Sequence, residues 1–454
     1  MKSKSFCVVN SCIHSRIRIH RRRLFLVAGA IFSYILSKCA FVEQGLLAGQ
    51  VDSFKLHDDW HPLNRSDRFP SVDQRVQIYM HYWYKPLCQP IHIKYTLEDN
   101  GPFTILILPE EKDSEETVFR AIVSPDEKIM LERAVVDDCA RTKVQQFIRG
   151  PRSNTEELVH NRGRMRSYCQ NVQDLMQIND LLDAKNSRVT PLLAHFGDIS
   201  VIDNRVPMIG KWREAMTTEE LERLTTQKCI NDRPLKTPSI IWKVETTRHW
   251  EPIERSRVKD IQWEEKKLAA IWRGAFTGNG HSRSSMSEID HCRQNQRCRF
   301  VLEHIDSKII DAGIDDTVGL IADSFNGIKI TKPRLSMKEI QRYKILISFE
   351  GNDVASGLKW NLLSQSVVLM PKPTRTSWAM EELLEPWKHY IPMNENGTNA
   401  EEMVQWVLDN DQKAKRISER ATLFMCDLLY HPDSEKEERE VKEEIVRRYQ
   451  EFWL

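Results

Sequence analysis

The sequence predicts an α/β protein whose second half carries a phosphate-binding layer, and three stretches carry that reading. The first is Lys344 to Met370, where an apolar run (Ile345 to Phe349) of strand length precedes a turn cluster, Glu350 to Asp353. Val354, Leu358 and Leu362 then fall four apart, on one helical face, before a second apolar run ends at Met370. Strand, Gly-bearing loop, helix and strand make half of a nucleotide-binding layer, in which a helix N-terminus favours negative charge. The second is a strand, Leu268 to Trp272, ending in a loop from Arg273 to Arg283 with three glycines, two arginines and hydroxyls. Glycine lets backbone approach a phosphate closely, and arginine forks match its oxygens. The third is the apolar run Leu192 to Phe196, read as a buried parallel strand with Gly197 and Asp198 at its end. Open α/β sheets bind ligands outside the carboxyl ends of their strands, so Asp198 would point into a cleft; the alternative is a turn cap.

Composition narrows the class. With 66 Lys+Arg against 65 Asp+Glu, the net charge of +1 gives no basic excess for a nucleic-acid partner. A length of 454 residues allows two or three domains with a core that needs no disulfides. The N-terminus departs from this ordinary composition. Arginines and lysines through Arg23 precede an apolar segment, Leu24 to Leu36, with apolar character resuming to Val42. This reads as an uncleaved type II signal anchor, with a cleaved signal (ending at Ala40 or Ala48) and a transit peptide as rivals. Seven of the ten cysteines follow it, with no C-x-x-C metal pair and no spacing that fixes a connectivity. Two N-x-[ST] sequons, at Asn64 and Asn396, are usable only in the secretory route.

In chain order, a polar stem from 43 to 90 contains one helical stretch, Val72 to Tyr84, whose aromatic residues read as packing. Strands follow at Ile91 to Thr96, Phe103 to Leu108, Val118 to Val123 and Ile129 to Val135. Arg162, Arg164 and Arg166 read as a solvated face, with a phosphate contact as the alternative. After the Leu192 strand come a short strand from Val206, a charged helix from Thr217, and a Pro-bearing linker from Asn231 to Pro238. The loop glycines Gly274, Gly278 and Gly280 fit neither the Walker A nor the dinucleotide spacing, which disfavours a P-loop kinase and a dehydrogenase. The sole D-x-D, Asp409 to Asp411, lies between helical stretches and reads as solvated. A last helix starts at a capping box, Ser434 with Glu437.

Trp272-Arg273-Gly274 with Thr277-Gly278, the string from Tyr343 to Trp360, Ser366 to Met370, Trp378, Pro386-Trp387 and His389 to Pro392 occur in one order and spacing. In these the chain closely resembles the CAP10-type glycosyltransferases, which include protein O-glucosyltransferases and fungal capsule xylosyltransferases, over about Leu192 to Met425. The resemblance implies a GT-B architecture of two facing Rossmann-like lobes behind the signal anchor. Together with the reading of the two ends above, it partitions the chain into a basic tail (1–23), anchor (24–42), stem (43–90), acceptor-side lobe (91–237), nucleotide-sugar lobe (238–430) and C-terminal helix (431–454). It implies an inverting transfer, needing no metal or other cofactor, from a UDP-sugar (glucose or xylose) to a hydroxyl of a protein or glycan. Asp198 looks like the general base. Arg273, Ala275, Thr277 and Arg283 look like UDP contacts in a loop whose register is open, as do Asp353, Val354, Ala355, Ser356, Gly357, Leu358 and Lys359. Lys359 stands where the protein O-glucosyltransferases have Arg, and so brings a point charge in place of a fork. The implied setting is the Golgi or ER membrane with a lumenal catalytic domain. An inactive sugar-binding or scaffold protein on the same fold is the alternative.

Overall fold

The computed structural model describes residues 69–89, 104–113, 116–123, 129–132, 174–175, 192–195, 207–230, 238–244, 246–250, 252–253, 260–278, 288–316, 324–325 and 327–453. The expected anchor, the Ile91 strand, the three arginines at 162 to 166 and most of the 231–238 linker lie outside them, as do Asp198 and Arg283.

Helix α1 (Val72–Met80) is opened by a capping box between Ser71 and Gln74. Strands β1 (Thr104–Asp113), β2 (Glu116–Val123), β3 (Ile129–Glu132), β4 (Leu192–His195), β5 (Met208–Gly210), β6 (Trp212–Glu214) and β7 (Ile240–Ile241) follow, with α2 (Thr218–Thr226) after β6. A second capping box, Thr217 with Glu220, starts α2. Six of these strands form one sheet in the order β3-β2-β1-β4-β5-β7. β4 was expected to be parallel. It is the pivot of the sheet, antiparallel to β1 but parallel to β5.

The second half begins with α3 (Thr246–His249) and β8 (Lys267–Ala275), then α4 (Glu288–Gln294), α5 (Gln296–Glu303) and β9 (Ile310–Asp316). A small hairpin, β10 (Ser324–Phe325) and β11 (Ile328–Lys329), precedes α6 (Met337–Ile340) and β12 (Tyr343–Ile347). Then come α7 (Leu358–Leu363), β13 (Val367–Met370), β14 (Arg375–Ser377), β15 (Ile391–Pro392), α8 (Ala400–Asp409), α9 (Asp411–Leu429) and α10 (Ser434–Trp453). The order β15-β13-β12-β8-β9 makes a five-stranded sheet, parallel throughout. By chain position this is the doubly wound order 2-1-3-4-5, whose switch point lies between β8 and β12.

Both faces of that sheet are covered, which is why its strands read as unbroken apolar runs. Ile345, Ile347, Val367 and Leu369 turn to one core with Trp272 and Phe300. Val368 and Met370 turn to the other, with α7, α9 and α10. The second core also takes in Val76, Tyr79 and Trp83, so the helical part of the expected stem is packed into the protein body. Tyr79 stacks on Trp378, with ring centroids 4.2 Å apart, and its hydroxyl donates to the Trp378 carbonyl at 2.9 Å. Arg448 of α10 donates to the Tyr84 carbonyl at 2.9 Å. The two sheets are joined by an antiparallel ladder of β6 with β14. There Arg213 donates to both carboxylate oxygens of Glu382, at 2.6 and 3.1 Å. Disulfides join Cys88 to Cys229 and Cys292 to Cys298. Among the described residues no helix is long and apolar enough to cross a membrane.

Candidate active site

A cavity of about 730 Å³ opens at the carboxyl ends of β8 and β12, at the switch point. Its size is that of a small-molecule site. Ile271 and Leu346, on the face of each strand opposite to the Trp272 core, contribute its apolar lining. The loops that follow the two strands close in on each other. Gly278 takes φ +106° and donates its N–H to Asn352 Oδ1 at 2.9 Å. A Cβ on Gly351 would lie 2.8 Å from both Thr277 Oγ1 and Arg297 Nη2, so a side chain there would push the loops apart.

Arg297 ties the loops together. From the first turn of α5 it donates to the Ala275 carbonyl (3.1 Å) and Thr277 Oγ1 (2.7 Å) on the β8 side. On the β12 side it donates to the carbonyls of Phe349 (2.9 Å) and Glu350 (3.2 Å). Burial pushes its pKa down to about 10, which leaves it charged at neutral pH. Asn295 caps α5 by accepting from the Cys298 N–H at 3.0 Å, and the Cys292–Cys298 disulfide pins the turn that presents the arginine. Sequence reasoning missed Arg297. Its legible signal was the Asn295 cap, which starts a helix beside the glycine loop.

The residues named from sequence separate into groups. Ala275, Thr277, Asp353, Val354, Ala355, Ser356 and Gly357 all line the cavity. Arg273 lines it too, but its guanidinium is held by Asp311, 3.0 Å from each carboxylate oxygen, and Asp311 also receives Lys332 at 2.7 Å. Burial raises the Asp311 pKa, yet these two cations outweigh it and hold the carboxylate below its usual range. Asp353 forms a buried ion pair with Lys211 at 2.5 Å, so the β5–β6 junction of the first sheet reaches the cavity wall. Leu358 faces a second cavity of about 390 Å³, beyond the Ser348–Ala355 loop, with Arg299, Arg375 and Asn396.

Lys359 is placed elsewhere. Its ammonium is 1% exposed, 3.2 Å from Glu381 Oε1 and 5.3 Å from the centre of the Trp250 ring, and it is absent from the cavity lining. Glu381 in turn accepts from the Ser377 N–H at 2.6 Å and from its hydroxyl at 2.7 Å. The point charge expected on the donor phosphates is here one half of a core ion pair. Asp411 of the D-x-D motif accepts from Trp263 Nε1 at 3.1 Å and Lys344 Nζ at 2.6 Å, so it is bonded where solvation was expected. Among the described residues no cluster of three or more His, Cys, Asp or Glu could hold a metal ion.

Cations (Arg297, Arg334, Lys338), loop N–H groups and an apolar wall including Trp360 suit a ligand with an anionic part and a planar part. O-glucosyltransferase LpsA of Dichelobacter nodosus is 26% identical over 242 residues, 53% of this chain and 62% of that protein. Protein O-glucosyltransferase 3 of Rattus norvegicus is 35% identical over 92 residues, 20% of this chain and 18% of its own. Protein O-glucosyltransferase 1 of Bos taurus is 26% identical over 176 residues, 38% of this chain and 40% of its own. The chain thus spans less than two thirds of each of these relatives. The family model described as Glycosyl transferase family 90 matches residues 240–433. That span holds the whole parallel sheet and the loops around the cavity, so it is the cavity-bearing part of this chain that is similar to glycosyl transferase family 90, the CAP10-like family.

Proposed function

We propose that this protein is a glycosyltransferase that moves a sugar, glucose or xylose, from UDP to a hydroxyl of a protein or glycan acceptor. The observation that carries the reading is the switch-point cavity whose two phosphate-side loops are clamped by Arg297. In this reading the parallel sheet is the donor lobe of a GT-B enzyme and the six-stranded sheet belongs to the acceptor lobe. The uridine lies against the apolar wall with Trp360, and the diphosphate faces Arg297 and the N–H groups ahead of α7.

Transfer is inverting. Asp198, three residues beyond β4, takes the proton of the acceptor hydroxyl as that oxygen attacks the anomeric carbon opposite the leaving UDP. The bond from the anomeric carbon to the diphosphate oxygen breaks, and Arg297 and Arg283 stabilise the charge that develops there. No metal takes part in this scheme. The catalytic body lies in the lumen of the ER or Golgi, anchored by residues 24–42. The disulfides Cys88–Cys229 and Cys292–Cys298 support an oxidising compartment.

The test is a panel of UDP-sugars read by thermal unfolding, followed by transfer assays of Asp198→Asn. A true donor at 100 times its Kd stabilises by about 2.7 kcal/mol. Asp198→Asn keeps that shift and loses transfer, and a chelator changes neither. If no uridine nucleotide shifts the unfolding temperature, the proposed donor site is wrong. Transfer by Asp198→Asn at the parent rate removes the base assignment.

A further inference from the structure

We propose that Asn396 carries an N-linked glycan, held at the rim of the second cavity and away from the donor cavity. The proposal rests on the lumenal reading above. Asn396-Gly397-Thr398 occupies the turn between β15 and α8, and both Asn396 and Thr398 are exposed. Between them Gly397 is buried at φ +74°, where a Cβ would lie 2.6 Å from the Phe300 ring. The turn is therefore anchored through its glycine while its two recognition side chains face out.

The bonding of the asparagine suits the modification. Its Oδ1 accepts from Arg299 Nη2 at 2.5 Å, and among the described residues no hydrogen bond engages its Nδ2. An N-glycosidic bond uses Nδ2 alone. That nitrogen loses one proton and bonds to the anomeric carbon of a lipid-diphosphate-linked oligosaccharide, whose diphosphate leaves with the bonding electrons. Oδ1 stays on Arg299, so the mature protein keeps the contact and the glycan is aimed outward. Thr398 is fixed by Asn394, whose Nδ2 donates to Thr398 Oγ1 at 2.7 Å and whose Oδ1 accepts from the Thr398 N–H at 2.9 Å. Asn396 lines the second cavity with Arg299 and Thr374 and is absent from the lining of the first. A glycan there flanks the second cavity and leaves the donor entrance open.

The experiment uses the full chain expressed in secretory cells, with peptide mapping before and after peptide N-glycosidase F in heavy-oxygen water. The expected result is conversion of Asn396 to labelled aspartate. Asn396→Gln and Thr398→Ala lose the glycan, whereas Thr398→Ser, which keeps the hydroxyl, retains it. A bare Asn396 in protein whose Cys88–Cys229 bond is formed overturns the proposal and leaves the lumenal reading standing. A bare Asn396 with both cysteines reduced overturns the two together. Labelling that persists in Thr398→Ala also overturns it, because the modification would then not depend on the motif.

Discussion

Arg297 is the residue on which the candidate site should turn, and its replacement can be worked through from the structure. Arg297→Ala removes four hydrogen bonds from a charged donor to neutral acceptors on two loops. Bonds to a charged group contribute about 1.5–3 kcal/mol each, so the bare sum is about 6–12 kcal/mol. Ala275, Thr277 and Phe349 border the cavity, where water can replace the lost donor. The expected loss is therefore well below that sum, about 3–5 kcal/mol, because the acceptors left behind are neutral and most can turn to water. Arg297→Lys keeps the charge but has a single compact head, which can serve one loop at a time. It should recover part of the stability and little of the nucleotide affinity, which falls at least tenfold, or about 1.4 kcal/mol. Urea unfolding gives the first quantity and UDP titration the second. If Arg297→Lys matches the parent in both, the two-loop clamp is wrong. If Arg297→Ala loses stability and still binds UDP as tightly, the residue is structural only.

The core ion pair predicts that Lys359→Ala costs about 3–5 kcal/mol, because Glu381 is left buried and charged without its partner. Unfolding of Lys359→Ala beside the double variant with Glu381→Gln, which should recover much of the loss, checks it. His389 Nδ1 accepts from the Glu385 N–H at 2.9 Å, and burial holds its pKa at about 4 against an ordinary 6.5. Because the unfolded chain takes up the proton first, stability is full above pH 6.5. It falls as pH drops towards 4, by up to about 3 kcal/mol, and His389→Gln should flatten that part of a pH–stability curve. Breaking Cys88–Cys229, which closes a separation of 141 residues, should destabilise by about 4–5 kcal/mol, measured on Cys88→Ser with Cys229→Ser.

The parallel sheet was legible because burial on both faces writes it as apolar runs: Ile345 to Ile347 and Val367 to Met370 are found as strands. Glycines at 278 and 351 marked the loops for two reasons the structure gives: Gly278 takes a positive φ, and Gly351 makes a close approach that a Cβ would block. Side-chain partners were not legible. Lys359 follows the helix start in sequence, but a helix turns its residues by about 100° each, and its face meets Glu381 rather than the cavity. Arg297 lies 24 residues beyond Arg273, past α4, and only folding brings it between the two loops. The stem's helical stretch was found, but its place against α10 depends on contacts more than 360 residues apart, such as Tyr84 with Arg448.

The charge balance around the cavity explains why one buried cation serves the core and another can serve a ligand. Lys359 faces an anion, Glu381, and the pair sums to zero. Lys211 with Asp353 also sums to zero. Arg273 and Lys332 share one carboxylate, Asp311, which leaves one positive charge on that wall. The bonded partners of Arg297 are three carbonyls and a hydroxyl, so its full charge persists beside the loops. Arg334 and Lys338 add to it on the cavity lining, against Asp315. A site with this surplus attracts a diphosphate in the ground state and stabilises it further as it departs, when its charge grows. For the proposed donor site the same surplus makes a sharper demand than affinity alone: added salt should weaken UDP more than uridine, because of the two only UDP carries charge that these cations could meet.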